Sequence, residues 1–192
     1  MRNLFLLLLS LSSQSALAFD YNQKQQFFAF GISFGGEELG RTANETLEAG
    51  GGFSVLYGFN IIGNQNFHYQ VSLGYESDSI SASNGDGSFE KITSDFIMLK
   101  KVGKARFGAG LSFHFNPTFE NSAPGSNFSN KMPNAAGIIT HVDFITRKNF
   151  TFGIQYEFIE YKPEGLINTS TGQPVDSFDG NNINMLFKYH FH

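Results

Sequence analysis

Eight segments of this chain alternate apolar and polar residues at every second position, and this alternation constrains the fold more than any other feature. In the second segment, Phe53, Val55, Tyr57, Phe59 and Ile61 alternate with small or polar residues. Alternation over such a length is typical of β-strands with one apolar face. Each segment matches the roughly 9–11 residues that a tilted strand needs to cross a bilayer. We predict strands at residues 26–36, 51–62, 66–76, 91–101, 105–116, 135–146, 150–161 and 182–191.

The chemistry of the two strand faces distinguishes a membrane barrel from a soluble β-sandwich, which alternates in the same way. One face carries an aromatic residue in almost every segment and uses many of the 23 phenylalanines. The other face carries Gly, Ser, Asn, Gln, His and a few charges. A membrane barrel turns its apolar face to lipid and keeps a polar interior. We therefore predict an all-β fold, an eight-stranded antiparallel up-and-down transmembrane β-barrel.

The connections between the segments alternate strictly in length. Three are short, at residues 63–65, 102–104 and 147–149, and four are long, at residues 37–50, 77–90, 117–134 and 162–180. Outer-membrane barrels have short periplasmic turns and longer extracellular loops. The pattern thus predicts four extracellular loops and two periplasmic termini. In the fourth segment we place Phe96 and Met98 outside, because the alternative puts Asp95 in lipid, where ionisable groups are costly.

The first 18 residues, MRNLFLLLLSLSSQSALA, have the layout of a secretory signal peptide. Arg2 precedes an apolar run, and Ala16-Leu17-Ala18 forms a small-residue cleavage site. We predict that residues 1–18 are removed and that residues 19–192 form one barrel domain. This domain keeps twelve basic against seventeen acidic residues, a balance that does not favour nucleic-acid binding. The chain has no cysteine, so disulfides do not stabilise it.

The alternation continues to the end of the sequence, where Phe187, Tyr189 and Phe191 precede His192. With its eight segments and unequal connections, the chain resembles the small outer-membrane barrels of Gram-negative bacteria, the OmpA, OmpX and OmpW-like group. The resemblance implies that these three aromatic residues form a C-terminal assembly signal, read by the barrel-assembly machinery. It also implies a monomer in the cell outer membrane, surrounded by outer-membrane lipid and lipopolysaccharide.

The polar face predicts the contents of the barrel interior. Its ionisable residues should pair, because an unpaired buried charge is costly, and eight strands leave space only for side chains. We predict a structural charge network of Arg106, Asp143, Glu157, Lys188 and Glu76. The histidines of this face are His68, His114, His141 and His190. Converging imidazoles bind transition metals, but no HxxxH or HExxH spacing accompanies them, so we predict polar filling, with no metal and no cofactor.

Three functions fit such a barrel, and the sequence favours them in a definite order. The first is a structural or surface-interaction role, with a filled lumen and four exposed loops. The second is a narrow channel for ions or small apolar solutes. The third is a lipid A-modifying acyl enzyme using Ser112 and His114 with Glu157 or Glu76. Outer-membrane deacylases have a His-x-Ser order, which Ser112-Phe113-His114 reverses, so we predict that the protein is not an enzyme.

Overall fold

The structure is a computed structural model, and it describes residues 24–42, 45–63, 66–82, 85–123, 126–147, 149–166 and 173–191. The predicted signal peptide and His192 lie outside the described residues. Within the described part, no helix is long and apolar enough to cross a membrane. The strands are β1 (Lys24–Phe34), β2 (Glu38–Arg41), β3 (Thr46–Glu48), β4 (Gly52–Ile62), β5 (Phe67–Ala82), β6 (Gly85–Val102), β7 (Ala105–Ala123), β8 (Ser126–Lys131), β9 (Ala135–Arg147), β10 (Phe150–Phe158), β11 (Glu160–Tyr161), β12 (Phe178–Asp179) and β13 (Asn182–Phe191).

Eight of these strands form a closed antiparallel barrel, as predicted. Around the barrel the order is β1, β4, β5, β6, β7, β9, β10 and β13. Pairing of β1 with β13, from Gln26–Phe191 to Phe34–Ile183, closes the sheet. Consecutive barrel strands are neighbours throughout, so the topology is up-and-down. We call the end of the barrel with the long connections the loop end, and the opposite end the turn end.

The apolar strand faces point outward and the polar faces point inward, as the alternation predicted. Phe34, Phe53 and Phe158 are exposed on the outer wall at the loop end, and Phe28 and Phe150 are exposed at the turn end. Such an outward apolar band is what lipid requires of a barrel wall. Because the inner and outer faces alternate along each strand, a shift of one residue would reverse them.

The fourth barrel strand, β6, has the orientation that the cost of burying charge in lipid predicted. Phe96 and Met98 are exposed on the outer wall, whereas Asp95 is buried inside. The pairing of Asp95 with Ser72 on β5 and Ser112 on β7 fixes this register.

Two of the predicted long loops, residues 77–90 and 117–134, are largely strand. β5 and β6 stay paired from Ser77–Glu90 to Ala82–Gly85, and β7 folds back on β8. Pro117 is accommodated by a bulge, in which Asn116 (φ 49°) and Pro117 lie opposite a single β6 residue. A bulge leaves residues without ladder partners, so a proline that lacks an N–H can occupy it. The Gly, Ser and Asn content of these segments concealed their strand pairing.

The long connections pack together above the barrel interior and form an apolar cluster, which we call the loop core. Every long connection contributes, including the small β2–β3 hairpin and the β11–β12 pair. Its buried members are Leu47, Ala49, Ile80, Phe89, Phe119, Met132, Ile159, Tyr161 and Phe178. Burying apolar side chains stabilises a fold by about 1.5–3 kcal/mol for each large one. The loop end is therefore a packed layer of the protein.

Candidate functional site

The interior contains two clusters of charged side chains, and the one nearer the turn end is centred on Asp143. The Asp143 carboxylate accepts a hydrogen bond from Arg106 Nη2 at 2.7 Å and lies 3.0 Å from Lys188 Nζ. Its other close neighbour is His141 Nε2, at 2.8 Å. Lys188 also donates to Gln70 Oε1 at 2.8 Å. Asp143 is 0% and Lys188 1% exposed, so these charged groups contact one another and not water.

The second cluster lies nearer the loop end and includes Lys91, which the predicted charge network did not contain. Lys91 Nζ lies 3.0 Å from Glu76 Oε2 and donates to the backbone oxygen of Ala49 at 3.2 Å. Ala49 belongs to the loop core, so this lysine connects the polar interior to the cap above it. Its only signal in the sequence was one charge at the start of a predicted strand. The uninterrupted alternation of β6 places Lys91 on the same inward face as Thr93 and Asp95.

Glu157 and His114 form the centre of the loop-end cluster. Glu157 Oε1 lies 3.0 Å from His114 Nε2, and Glu157 Oε2 accepts a hydrogen bond from Asn182 Nδ2 at 3.0 Å. The other imidazole nitrogen, His114 Nδ1, lies 2.5 Å from the Tyr161 hydroxyl. Tyr161 in turn packs edge-on against Phe89 of the loop core. Both nitrogens of His114 are thus engaged by neighbours in the structure.

The residues of the predicted acyl-enzyme set do not form a catalytic triad. Ser112 Oγ donates to Asp95 Oδ1 at 2.7 Å, and Ser72 Oγ donates to the other oxygen of Asp95 at 3.3 Å. Nucleophilic catalysis requires the serine hydroxyl within hydrogen-bond reach of the imidazole base. Here Glu157 and Tyr161 occupy the two nitrogens of His114, and Ser112 is bonded to Asp95.

The four predicted interior histidines are all buried, but they lie at separate places along the barrel. His190 contacts Asn60 Nδ2 at 3.3 Å and Thr151 Oγ1 at 2.9 Å, and His68 is buried on β5 near the turn end. His141 belongs to the Asp143 cluster and His114 to the loop-end cluster. Among the described residues, no three His, Cys, Asp or Glu side chains are grouped so that they could hold a metal ion.

The outer surface of the loop end is strongly acidic. The described parts of the four long connections contain eleven carboxylates and three basic side chains, Arg41, Lys131 and Lys162. Some of these carboxylates hold loop backbone in place: Asp78 accepts the Glu48 N–H at 2.9 Å, and Glu48 accepts the Gly35 N–H at 2.8 Å. Burial raises the pKa of the Asp78 carboxyl, and the neighbouring Glu48 charge acts in the same direction. The turn end, by contrast, carries Lys101, Lys104 and Arg147.

An outward apolar band, a charge-paired polar interior and a closed sheet define the class: a small transmembrane β-barrel. No protein-family profile and no curated protein matches the chain in sequence. Among solved structures, Ail, the attachment invasion locus protein of Yersinia pestis, is 16% identical, with a TM-score of 0.56 over 88% of this chain and 97% of that one. A second structure of Ail, in complex with the heparin analogue sucrose octasulfate, is 15% identical, with a TM-score of 0.53 over 88% of this chain and 97% of that one.

Neisserial surface protein A is a further match, 12% identical, with a TM-score of 0.52 over 88% of this chain and 96% of that one. At these identities the likeness concerns the fold. The predicted resemblance to small eight-stranded outer-membrane barrels is confirmed at that level.

Proposed function

We propose that this protein is an integral outer-membrane barrel with a closed interior, whose role is structural or surface-facing. The observation that carries the proposal is the position of the loop core, directly above a charge-paired interior. Lys91 joins the two layers by contacting both Glu76 and the Ala49 backbone. An eight-stranded barrel has space inside only for side chains, and here those side chains are bonded to one another. A free path for ions or apolar solutes therefore has no place in this arrangement.

Purified wild-type protein should be silent in a planar bilayer, whereas a variant lacking the β2–β3 hairpin should show openings. Replacing residues 38–48 with a short Gly-Ser linker removes Leu47 from the loop core and the β2–β3 hairpin that precedes Ala49, the backbone partner of Lys91. The measurement is single-channel current at fixed voltage, after heat-dependent gel migration has verified folding. A matched control shortens the β7–β8 tip at residues 122–127, whose described residues do not belong to the loop core.

Steady open-channel current from the wild-type protein would contradict the closed interior and would favour the narrow channel instead. Current from the tip-shortened control, at the level of the hairpin variant, would show that any loop change perturbs the barrel. In that case the loop core would not be the closing element.

We propose that the loop end faces outside the cell and contacts partners through its acidic surface. Eleven carboxylates against three bases repel polyanions, so the surface suits cationic groups. The solved complex of Ail contains a polyanionic heparin analogue; the charge of this loop end argues against a ligand of that kind here. In the outer leaflet, the surrounding lipid would be lipopolysaccharide. We propose that the C-terminal strand β13, with Phe187, Tyr189 and Phe191, presents the assembly signal.

Single-cysteine labelling should place the loop end outside. Because the chain has no cysteine, Ser122→Cys and Lys104→Cys each provide one thiol, at the loop end and the turn end respectively. Both parent residues are exposed. A membrane-impermeant maleimide on intact cells should label Ser122→Cys and not Lys104→Cys, and both should react after lysis. The reverse result on intact cells would invert the orientation.

A further inference from the structure

A groove of about 770 Å³ runs up the outer wall at the loop end, between β9 and the β10–β11 segment. It exists because the β9–β10 ladder ends at the Ile138–Phe158 pair. Beyond that pair the chain leaves β9, and Glu160 pairs with Asp179 on β12. The edge of β9 above Ile138 therefore has no paired strand on this side, and the buried loop-core residues Ile159 and Phe178 form part of the groove lining.

The lower part of the groove is apolar and continuous with the lipid-facing wall. Leu111, Ile138 and Phe158 are aligned in one row across three strands, because Leu111 pairs with Ile138 and Ile138 with Phe158. All three are among the exposed hydrophobic residues, Ile138 at 57%. A row of this kind offers an alkyl chain a surface that is already in contact with the bilayer.

The upper part of the groove is acidic. Glu160 and Asp179 lie directly opposite each other, a placement that brings two like charges within about 5 Å at the Cβ atoms and is unfavourable by itself. The third carboxylate, Glu37, accepts a hydrogen bond from the Asp179 backbone N–H at 3.4 Å. Within the described residues, none of the three forms an ion pair. Lys162 lines an adjoining recess, which Glu160 and Pro133 also line.

We propose that this groove binds a cationic amphiphile, with its alkyl chain along Leu111, Ile138 and Phe158 and a protonated amine among Glu37, Glu160 and Asp179. The negative charge of the upper part of the groove determines which head group binds there. An anionic phosphate head group would meet three carboxylates, whereas an ammonium group relieves their mutual repulsion. The apolar row lies on the lipid-facing wall of the barrel. The ligand therefore reaches the groove from the bilayer. This inference is independent of whether the lumen conducts.

The test uses the full chain refolded in phosphatidylcholine vesicles and a dodecylamine probe with a photoactivatable diazirine on its alkyl chain. Mass spectrometry should locate the crosslinks on the β9 and β10 peptides that line the groove, above the background around the barrel. In the double variant Glu37→Gln, Glu160→Gln, groove labelling should fall about fivefold, since each exposed charge pair contributes modestly. The matched control Glu120→Gln, Glu164→Gln removes two loop-end carboxylates outside the groove and should label like wild type.

A second variant and a second probe complete the design. Ala136→Trp fills the groove without changing its charge and should also reduce labelling, provided that heat-dependent gel migration shows a folded barrel. Labelling spread evenly around the apolar band would mean partitioning into the bilayer only and would overturn the proposal. Stronger groove labelling by the matching dodecyl phosphate probe with Mg²⁺ would also overturn it, because the site would then hold anionic lipid through a bridging cation.

Discussion

Asp143→Asn should lower the free energy of unfolding by about 3–5 kcal/mol, which is the usual cost of removing one partner from a buried charge pair. The substitution keeps the shape of the side chain and removes its charge. Arg106 and Lys188 would then remain buried without the carboxylate that lies 2.7 Å and 3.0 Å from them. Water has little access to these groups, because Asp143, Lys188 and Arg106 are all buried. The measurement is urea unfolding of the refolded barrel in lipid vesicles.

The control for this experiment is Asp86→Asn, which neutralises an exposed acid at the loop end. It should change the free energy of unfolding by no more than about 0.5 kcal/mol, as surface substitutions do. Lys188→Met leaves Asp143 paired with Arg106, so its loss should be smaller than that of Asp143→Asn. If Asp143→Asn and Asp86→Asn lost equal stability, the Asp143 cluster would not hold the interior together. If Asp143→Asn did not fold at all, Lys188→Met would still measure the contribution of the Asp143 cluster to the free energy of unfolding.

Leu73→Arg should hinder insertion and cost about 2–4 kcal/mol, the penalty for an arginine near the bilayer midplane on a barrel wall. Leu73 is 59% exposed on the outer face of β5, near the middle of its membrane-crossing part. Its neighbours across the sheet are Tyr57 and Ser94, both at the same height. The measurement combines folding yield into vesicles with the unfolding midpoint in urea.

Ser79→Arg is the matched control, because Ser79 lies six residues further along the same strand and on the same outward face. It is exposed and belongs to the part of β5 that continues toward the loop end. There the arginine reaches water and should cost little. Equal damage from the two substitutions would show that the apolar wall is not in contact with lipid, which is incompatible with a membrane barrel.

The sequence alone determined the eight barrel strands, their inner and outer faces and most of the buried charges, although it missed Lys91. A strand reverses its faces with every residue, so alternation specifies burial directly, as Phe96 and Asp95 of β6 illustrate. The sequence also identified Arg106, Asp143, Lys188 and Glu157 as interior residues. Which of these residues form ion pairs depends on their positions along the barrel axis. The register between the strands sets those positions. Sequence spacing within a strand carries no such information.

Only the tertiary structure decided how the loop end is built and how the interior side chains pair. Leu47 and Phe89 come from the first two long connections and Tyr161 and Phe178 from the β10–β13 connection, and no local pattern relates the three connections. Their burial follows from the closed barrel, which brings the connections together at one end. The β6–β7 register places Ser112 opposite Asp95, and the curvature of the barrel brings His114 to Glu157, a choice between partners that spacing within one strand leaves open. Alternation is a local property of a strand, whereas the cap and the charge pairs arise from contacts between residues far apart in sequence.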